Sequence, residues 1–331
     1  MKIFHIVEEV SEKNNSIVSV TKKLLTYEKV QNSKIIIPST NSEINLKKGS
    51  VKKIKIFKNL FKYRSEVREF LEKTQPDIIH IHGLWRPIHL FFVFVSHQMN
   101  IPIIIQPHGM LLDEAIKTKS KFTYLVKILI IKIYNHLLKN ANFIAVTKEE
   151  KKSILKYFRS KNISIIPNPF DSTYKVEKNL KKNISYFGRF SPHKNLDLIV
   201  ESFLSADLDK EWKLIIYGID DDNKYKSKIR KIISQKDKYN RIIIKKPIFD
   251  KNLKFKKMSE NYLNILMSKS EILSLTVLEG LSVGTKSLVN SNIKYPSKIS
   301  NLLYFSKPKK QLVSSKMQSI AKKFSNNFKI R

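Results

Sequence analysis

The feature that most constrains this chain is a rhythm in which short β-branched runs alternate with longer amphipathic stretches. The runs "KIFHIV" (2–7), "KIIIP" (34–38), "DIIHIHG" (77–83), "PIIIQ" (102–106) and "NFIAVT" (142–147) are largely apolar at successive positions. Strands buried on both faces of a parallel sheet read this way. Helical patterns fall between them at 17–27, 60–73, 87–98, 122–138 and 148–158, and such an alternation predicts a doubly wound domain. The polar stretch "NPFDSTYKVEKNLKKN" (168–183) then interrupts the rhythm as an interdomain linker would. The rhythm resumes with strands predicted at 184–188, 213–218, 241–246, 263–268 and 286–290, and a last helix at 316–324. At 331 residues the chain exceeds what one core usually serves. The expectation is therefore two α/β domains, 1–168 and 169–331, with the last helix packing back on the first. If the two face each other, the carboxyl ends of both sheets line one cleft, where ligands of such domains bind.

Composition narrows the function classes. The chain has no cysteine, which excludes a disulfide framework and a thiolate metal site. The formal charge is +35, yet only 8 of the 63 basic residues are arginine. Scattered lysines lack the clustered arginine forks with which proteins read nucleic acids, so no nucleic-acid partner is expected. The surplus charge suits peripheral contact with an anionic membrane, since each lysine near such a surface contributes about 1 kcal/mol. The segment 117–140, "KTKSKFTYLVKILIIKIYNHLLKN", mixes lysines and apolar residues at helical spacing and could lie on that surface. Its apolar runs fall short of the ~20 residues a membrane span requires. The start, "MKIFHIVEEV", turns acidic too early for a signal peptide. A cytoplasmic location, with possible contact at the inner face of the plasma membrane, fits these features.

Several residues could carry chemistry. In "ISYFGRFSPHKNLDLIVESF" (184–203), Arg189 and Lys194 flank the turn between a strand and a helix amino terminus, an arrangement suited to phosphate. In "SKSEILSLTVLEGLSVG" (268–284), Glu271 and Glu279 stand with seven residues between them. Thr276 and Glu279 have the spacing of a capping box, which would make Glu279 structural. That reading leaves Glu271 unexplained. Two other constellations invite metal: "DDD" (220–222), better read as a solvated turn, and His80 with His82 on one strand face, for which the sequence places no third ligand.

Together, "YFGRFSPHKNLDLIVESF", "SKSEILSLTVLEGLSVGT", "PDIIHIHGLW", "IIIQPHGMLLDEA" and "IIPNPF" resemble the ordered landmarks of the group 1 glycosyltransferases, the retaining glycosyltransferase family 4. The resemblance spans roughly residues 76–290. It implies a GT-B fold, two Rossmann-like domains facing a cleft, and transfer of a hexose-type sugar with retention from a nucleotide-sugar donor, UDP- or GDP-linked. The implied acceptor is a lipid-linked or glycan molecule of cell-surface polysaccharide synthesis, such as O-antigen or capsule. The first domain would take the acceptor and the second the donor. By the same resemblance Arg189 and Lys194 would neutralise the leaving diphosphate, Glu271 would hold donor-sugar hydroxyls and His108 would contact the donor sugar. Gly188, Ser274, Leu275, Thr276 and Glu279 would complete the donor site, with Glu279 on the ribose. Asn15, Ser16, His82 and Trp85 would line the acceptor side. No cofactor and no metal are implied.

The chain departs from that pattern in its loops. "EEVSEKNNSIVSV" carries Asn14, Asn15 and Ser16 where the family has glycines, and Ile272, Leu273 and Ser274 replace a glycine-containing turn. These substitutions keep a second reading open, a weakened GT-B relative that binds sugar, nucleotide or a partner without turning over.

Overall fold

The computed structural model describes residues 1–7, 16–27, 34–39, 51–55, 63–117, 120–138, 141–160, 162–170 and 179–328. The chain divides into two compact units, Met1–Pro169 and Phe170–Arg331.

The first unit contains β1 (Ile3–Val7), α1 (Ser16–Tyr27), β2 (Lys34–Ser39), β3 (Val51–Lys55), α2 (Tyr63–Thr74), β4 (Ile78–His82) and α3 (Pro87–Gln98). It continues with β5 (Ile103–Gln106), α4 (Asp113–Ile116), α5 (Lys121–Leu137), β6 (Asn142–Ala145), α6 (Lys148–Tyr157) and β7 (Ile163–Ile165). The strands form one parallel sheet in the order β3-β2-β1-β4-β5-β6-β7. The order reverses between β1 and β4, so the crevice beyond their carboxyl ends is the topological switch point. Alternate residues of these strands face opposite sides. Phe4, Ile6, Ile79 and Ile81 enter a core with Val67, Leu71, Phe92 and Tyr134, whereas His5, His80 and His82 occupy the alternate positions of β1 and β4.

The second unit contains β8 (Lys181–Arg189), α7 (Leu196–Ser205), β9 (Lys213–Ile219), α8 (Asn223–Lys236), β10 (Ile242–Lys245), α9 (Lys251–Ser259) and β11 (Asn261–Leu266). It ends with α10 (Leu275–Ser282), β12 (Lys286–Asn290), α11 (Ser297–Ser300), β13 (Tyr304–Ser306) and α12 (Lys310–Phe328). Its parallel sheet runs β10-β9-β8-β11-β12-β13, with the switch point between β8 and β11. Its main core gathers Tyr186, Phe190, Phe203, Trp212 and Leu288. A smaller cluster of Phe187, Ile215, Tyr217, Phe255 and Met258 covers the other face.

Three strands escaped the sequence reading: β3, β7 and β13, each at a sheet edge. An edge strand needs fewer apolar residues, so "VKKIK" and "ISI" carry no central-strand signature. The predicted linker also gives up its last residues, because β8 begins at Lys181. The last helix starts earlier than expected, at Lys310. Its buried residues Val313, Met317, Ile320, Ala321 and Phe324 belong to the core of the second unit. The spacing of these residues, i, i+4, i+7, i+8 and i+11, makes one helix face, and α7 supplies the surface that covers it.

Candidate active site

In the second unit, the candidate site grows from the two loops that leave the switch-point strands. The first follows β8. Phe190 is buried, the segment Pro192–Lys194 forms one 3-10 turn, and Asn195 adopts the left-handed conformation at φ 56° before α7 starts. Asparagine tolerates that geometry better than most residues, so the chain reverses without a glycine and Lys194 faces back over the strand ends. The second loop follows β11 and runs from Met267 to Ser274. Hydrogen bonds join the two: Lys269 N donates to His193 O at 2.9 Å, and His193 Nε2 lies 2.8 Å from Ser270 O. Asn290 Nδ2 pins the second loop from β12 by donating to Ser268 O at 2.9 Å. Lys194 Nζ and Glu271 Oε1 then form an ion pair, with side chains only 17% and 15% exposed.

Arg189 ends β8. Its guanidinium donates to Asp221 Oδ2 at 2.9 Å, in a pair that is largely exposed. The Tyr186 hydroxyl donates to Arg189 O at 2.7 Å and passes so close to Gly188 that a Cβ there would lie 2.6 Å from the hydroxyl oxygen. Gly188 thus lets Tyr186 brace the end of the strand. Burial pushes the Tyr186 phenol well above its ordinary pKa, which keeps it a neutral donor.

Helix α10 begins at Leu275 behind the N-cap Ser274, whose side chain makes no capping bond. The first amides of a helix have no intrahelical partner, and their partial positive charge favours an anion. The amides of Leu275 and Thr276 belong to that first turn.

The first unit presents a different chemistry at the same topological place. His5 and His80 are opposite each other across β1 and β4, and His82 follows two residues along on the same face. All three are buried. His5 Nδ1 lies 3.0 Å from His82 Nε2, and His82 Nδ1 lies 2.8 Å from His108 Nε2. His108 sits past β5 at φ 51°, followed by Gly109 at φ 81°. A non-glycine residue in that region stores strain and persists only where surroundings fix it. Glu150 does part of the fixing: its carboxylate accepts from Gly109 N at 2.6 Å and from Val146 N at 2.7 Å. Burial pushes the Glu150 pKa up, and the two amide bonds oppose that shift. Close packing lowers His108 to about 4, so its imidazole is neutral at pH 7.

Two family models match consecutive stretches of the chain, Glycosyltransferase Family 4 over residues 38–174 and Glycosyl transferases group 1 over residues 171–318. The chain belongs to the group 1 glycosyltransferases. Solved structures agree on the GT-B fold. Anabaena HepE in complex with UDP and glucose superposes at TM-score 0.73 with 15% identity, covering 100% of this chain and 98% of that one. The lipopolysaccharide outer core galactosyltransferase WaaB does so at 0.65 with 17% identity and 98% of both chains. Sucrose-phosphate synthase from Thermosynechococcus elongatus reaches 0.68 with 12% identity, covering 99% of this chain and 98% of that one. No curated protein matches in sequence.

In this glycosyltransferase, Gly188, Arg189, Lys194, Glu271, Ser274, Leu275 and Thr276 come together at the second switch point. Glu279 pairs with Lys254 Nζ of α9 at 2.5 Å. The capping box is overturned: the N-cap is Ser274, which places Val277 rather than Glu279 three residues on. Within the first unit, His82 meets His108 but is fully buried, so it supports that residue instead of lining a surface. Trp85 is half-buried, with Lys127 Nζ 5.2 Å above its ring. Asn15 lies outside the described residues, and Ser16 opens α1. The three aspartates each have a separate partner, Lys226 for Asp220, Arg189 for Asp221 and the Tyr225 amide for Asp222. They do not converge as cation ligands would. His5 and Glu150 went unnoticed in the sequence. The alternation "FHI" against "HIH" carried the signal for His5 once β1 and β4 were known to pair.

Proposed function

We propose that this glycosyltransferase acts with retention, moving a hexose-type sugar from a UDP- or GDP-linked donor to a lipid-linked or glycan acceptor of cell-surface polysaccharide. The observation that carries the reading is the gathering of Arg189, Lys194, Glu271 and the α10 amino terminus at one switch point. HepE, similar in fold, holds UDP and glucose, and WaaB is a lipopolysaccharide galactosyltransferase.

In this reading the diphosphate takes over Lys194 from Glu271 and Arg189 from Asp221. The freed Glu271 accepts hydrogen bonds from donor-sugar hydroxyls. Gly188 and Ser274 shape the phosphate cradle, whose donors are the amides of Leu275 and Thr276. His108, neutral at pH 7, touches the donor sugar, and Glu279 serves the ribose after leaving Lys254. The bond from the anomeric carbon to the phosphate oxygen breaks with both electrons going to the diphosphate. The acceptor hydroxyl attacks the same face and its proton passes to the departing phosphate. Fixed positive charge where negative charge develops lowers this barrier most. No side-chain nucleophile, metal or cofactor enters the scheme.

The loop after β11 does not need glycine for its backbone shape. The positive-φ positions among the described residues are Gln75, Asn100, His108, Asn195, Asn240, Gly83, Gly109 and Gly284. Ile272, Leu273 and Ser274 are not among them, so this loop takes its shape without glycine.

The acceptor side draws support from α5. Phe122, Leu125 and Leu129 are 76%, 64% and 58% exposed on one face, with Lys121 and Lys132 at its flanks. An exposed apolar face rimmed by lysines suits the surface of an anionic bilayer. Among the described residues no helix is long and apolar enough to cross a membrane.

A donor-hydrolysis screen across UDP-, GDP- and dTDP-sugars tests the reading. Turnover that disappears in Glu271→Ala and Arg189→Ala supports it; binding of every donor without turnover by the folded protein defeats it in favour of a binding protein. Sedimentation with vesicles tests the membrane contact, and equal binding to neutral and anionic vesicles would remove its electrostatic part.

A further inference from the structure

We propose that His5, His80 and His82 form a binding site for a divalent transition-metal ion of the zinc class. The site lies under the switch point of the first unit and is independent of the donor reading above.

The backbone brings the three rings together by register. His5 pairs with His80 across the parallel strands, and His82 is two residues further on the same face of β4. Each ring offers a nitrogen, and these three nitrogens all lie within 4.8 Å of one another. The ring centroids are 4.1 Å apart for His80 and His82, 4.9 Å for His5 and His80, and 5.3 Å for His5 and His82. Zinc bonds imidazole nitrogen at about 2.0–2.1 Å in a tetrahedron, which needs nitrogens roughly 3.3 Å apart. Modest ring rotations reach that spacing, because χ2 of histidine is a soft torsion.

A second observation concerns the polar atoms here. His80 Nε2 and Gln106 Oε1 are both buried and neither makes a hydrogen bond of good geometry, the Gln106 side chain lying beside His80. An unmet polar atom inside a protein costs about 1–3 kcal/mol and is uncommon. Coordination by the His80 lone pair satisfies that atom.

The chemistry of the donor set agrees. Imidazole suits zinc, copper, nickel and cobalt, and cysteine, the competing soft ligand, is absent from the chain. His82 has a ready outer partner as well. Its Nδ1 faces His108 Nε2 at 2.8 Å, leaving Nε2 for the ion in place of the contact to His5. Metal-bound histidines usually donate their second nitrogen in this manner, which fixes the ring and its tautomer. Three protein ligands leave the fourth tetrahedral position open.

The test uses the full-length protein, purified through a chelator and titrated with Zn²⁺ against a chromophoric competitor. Co²⁺ serves as a spectroscopic probe. The expected result is one ion per chain, visible ligand-field bands of tetrahedral Co²⁺ strength, and a rise in Tm of the first unit. His80→Ala should weaken Zn²⁺ binding by roughly 100-fold or more, while His97→Ala and His136→Ala, at exposed positions, leave it unchanged. If His80→Ala fails to fold, His82→Asn provides the same reading, with circular dichroism checking the fold. Absence of one-to-one binding to the wild-type chain overturns the proposal, as does binding that survives His80→Ala and His82→Asn or is lost with His97→Ala or His136→Ala.

Discussion

The two units of this glycosyltransferase share a strand order around their switch points yet fill those points with opposite chemistry. In the first, neutral imidazoles lie stacked and buried, linked from His5 through His82 to His108. In the second, full charges stand half-open as the pairs Lys194–Glu271 and Arg189–Asp221. The topology therefore determines where a site forms, and the side chains decide whether it works by shape and neutral hydrogen bonds or by charge. Buried imidazoles lose stability when acid forces protons on the unfolded chain. Charged pairs hold each other in reserve and can be taken over by an anion.

The largest expected effect separates the units by activity. Arg189→Ala should lower kcat/KM for donor turnover by about 10²–10³-fold, as the loss of a group that meets developing charge does, measured by release of nucleoside diphosphate. An undiminished rate would remove the charge-based account of the second unit.

Acid should distinguish the units next. Burial, with a smaller contribution from Arg86, lowers His89 from 6.5 to about 4. A depressed imidazole is neutral in the folded state, and the unfolded chain takes up a proton as pH falls through 6.5. Stability of the first unit therefore declines between pH 6.5 and 4, by on the order of 3 kcal/mol from this residue. Each unit contains one of the two tryptophans, Trp85 in the first and Trp212 in the second. Denaturant unfolding of Trp212→Phe followed by fluorescence reports the first unit, and His89→Leu should flatten its acid slope.

A double-mutant cycle sharpens the second unit. Lys194→Met leaves Glu271 partly buried without its cation and should cost roughly 2 kcal/mol, less than a fully buried pair loses. Adding Glu271→Gln should restore part of it. If the two losses simply add, the pair contributes nothing beyond its parts.

The smallest effect concerns the reserve role of Asp221. Because its pair with Arg189 is exposed, it is worth about 1 kcal/mol or less. Asp221→Asn should tighten UDP binding by a few-fold in calorimetry; weaker binding would mean that Asp221 positions Arg189 rather than competing for it.

Much of the fold was legible because central strands and amphipathic helices announce themselves locally. "DIIHIHG" and "KLIIYG" could hardly be anything but buried strands, whereas the edge strands β3 and β13 carry too little apolar surface to stand out. Within the site, Arg189, Lys194 and Glu271 were visible as residues at strand ends. Their pairing was not, and Glu279 shows why. A capping box is a local motif, but Lys254, 25 residues away, took its carboxylate instead. Glu150 was hidden for a similar reason: an acid in the first turn of α6 looks like an ordinary dipole partner until the turn at Gly109 folds against it.

By itself the sequence determined the α/β rhythm, the two units and the residue types waiting at the strand ends, because these follow from local periodicity. Only the tertiary structure decided which of them meet. His5 and His82, and likewise Lys194 and Glu271, are each 77 residues apart in the chain. Parallel crossovers return distant strands side by side, and the register of that return, which no local pattern encodes, makes one switch point a stack of imidazoles and the other a pair of charges.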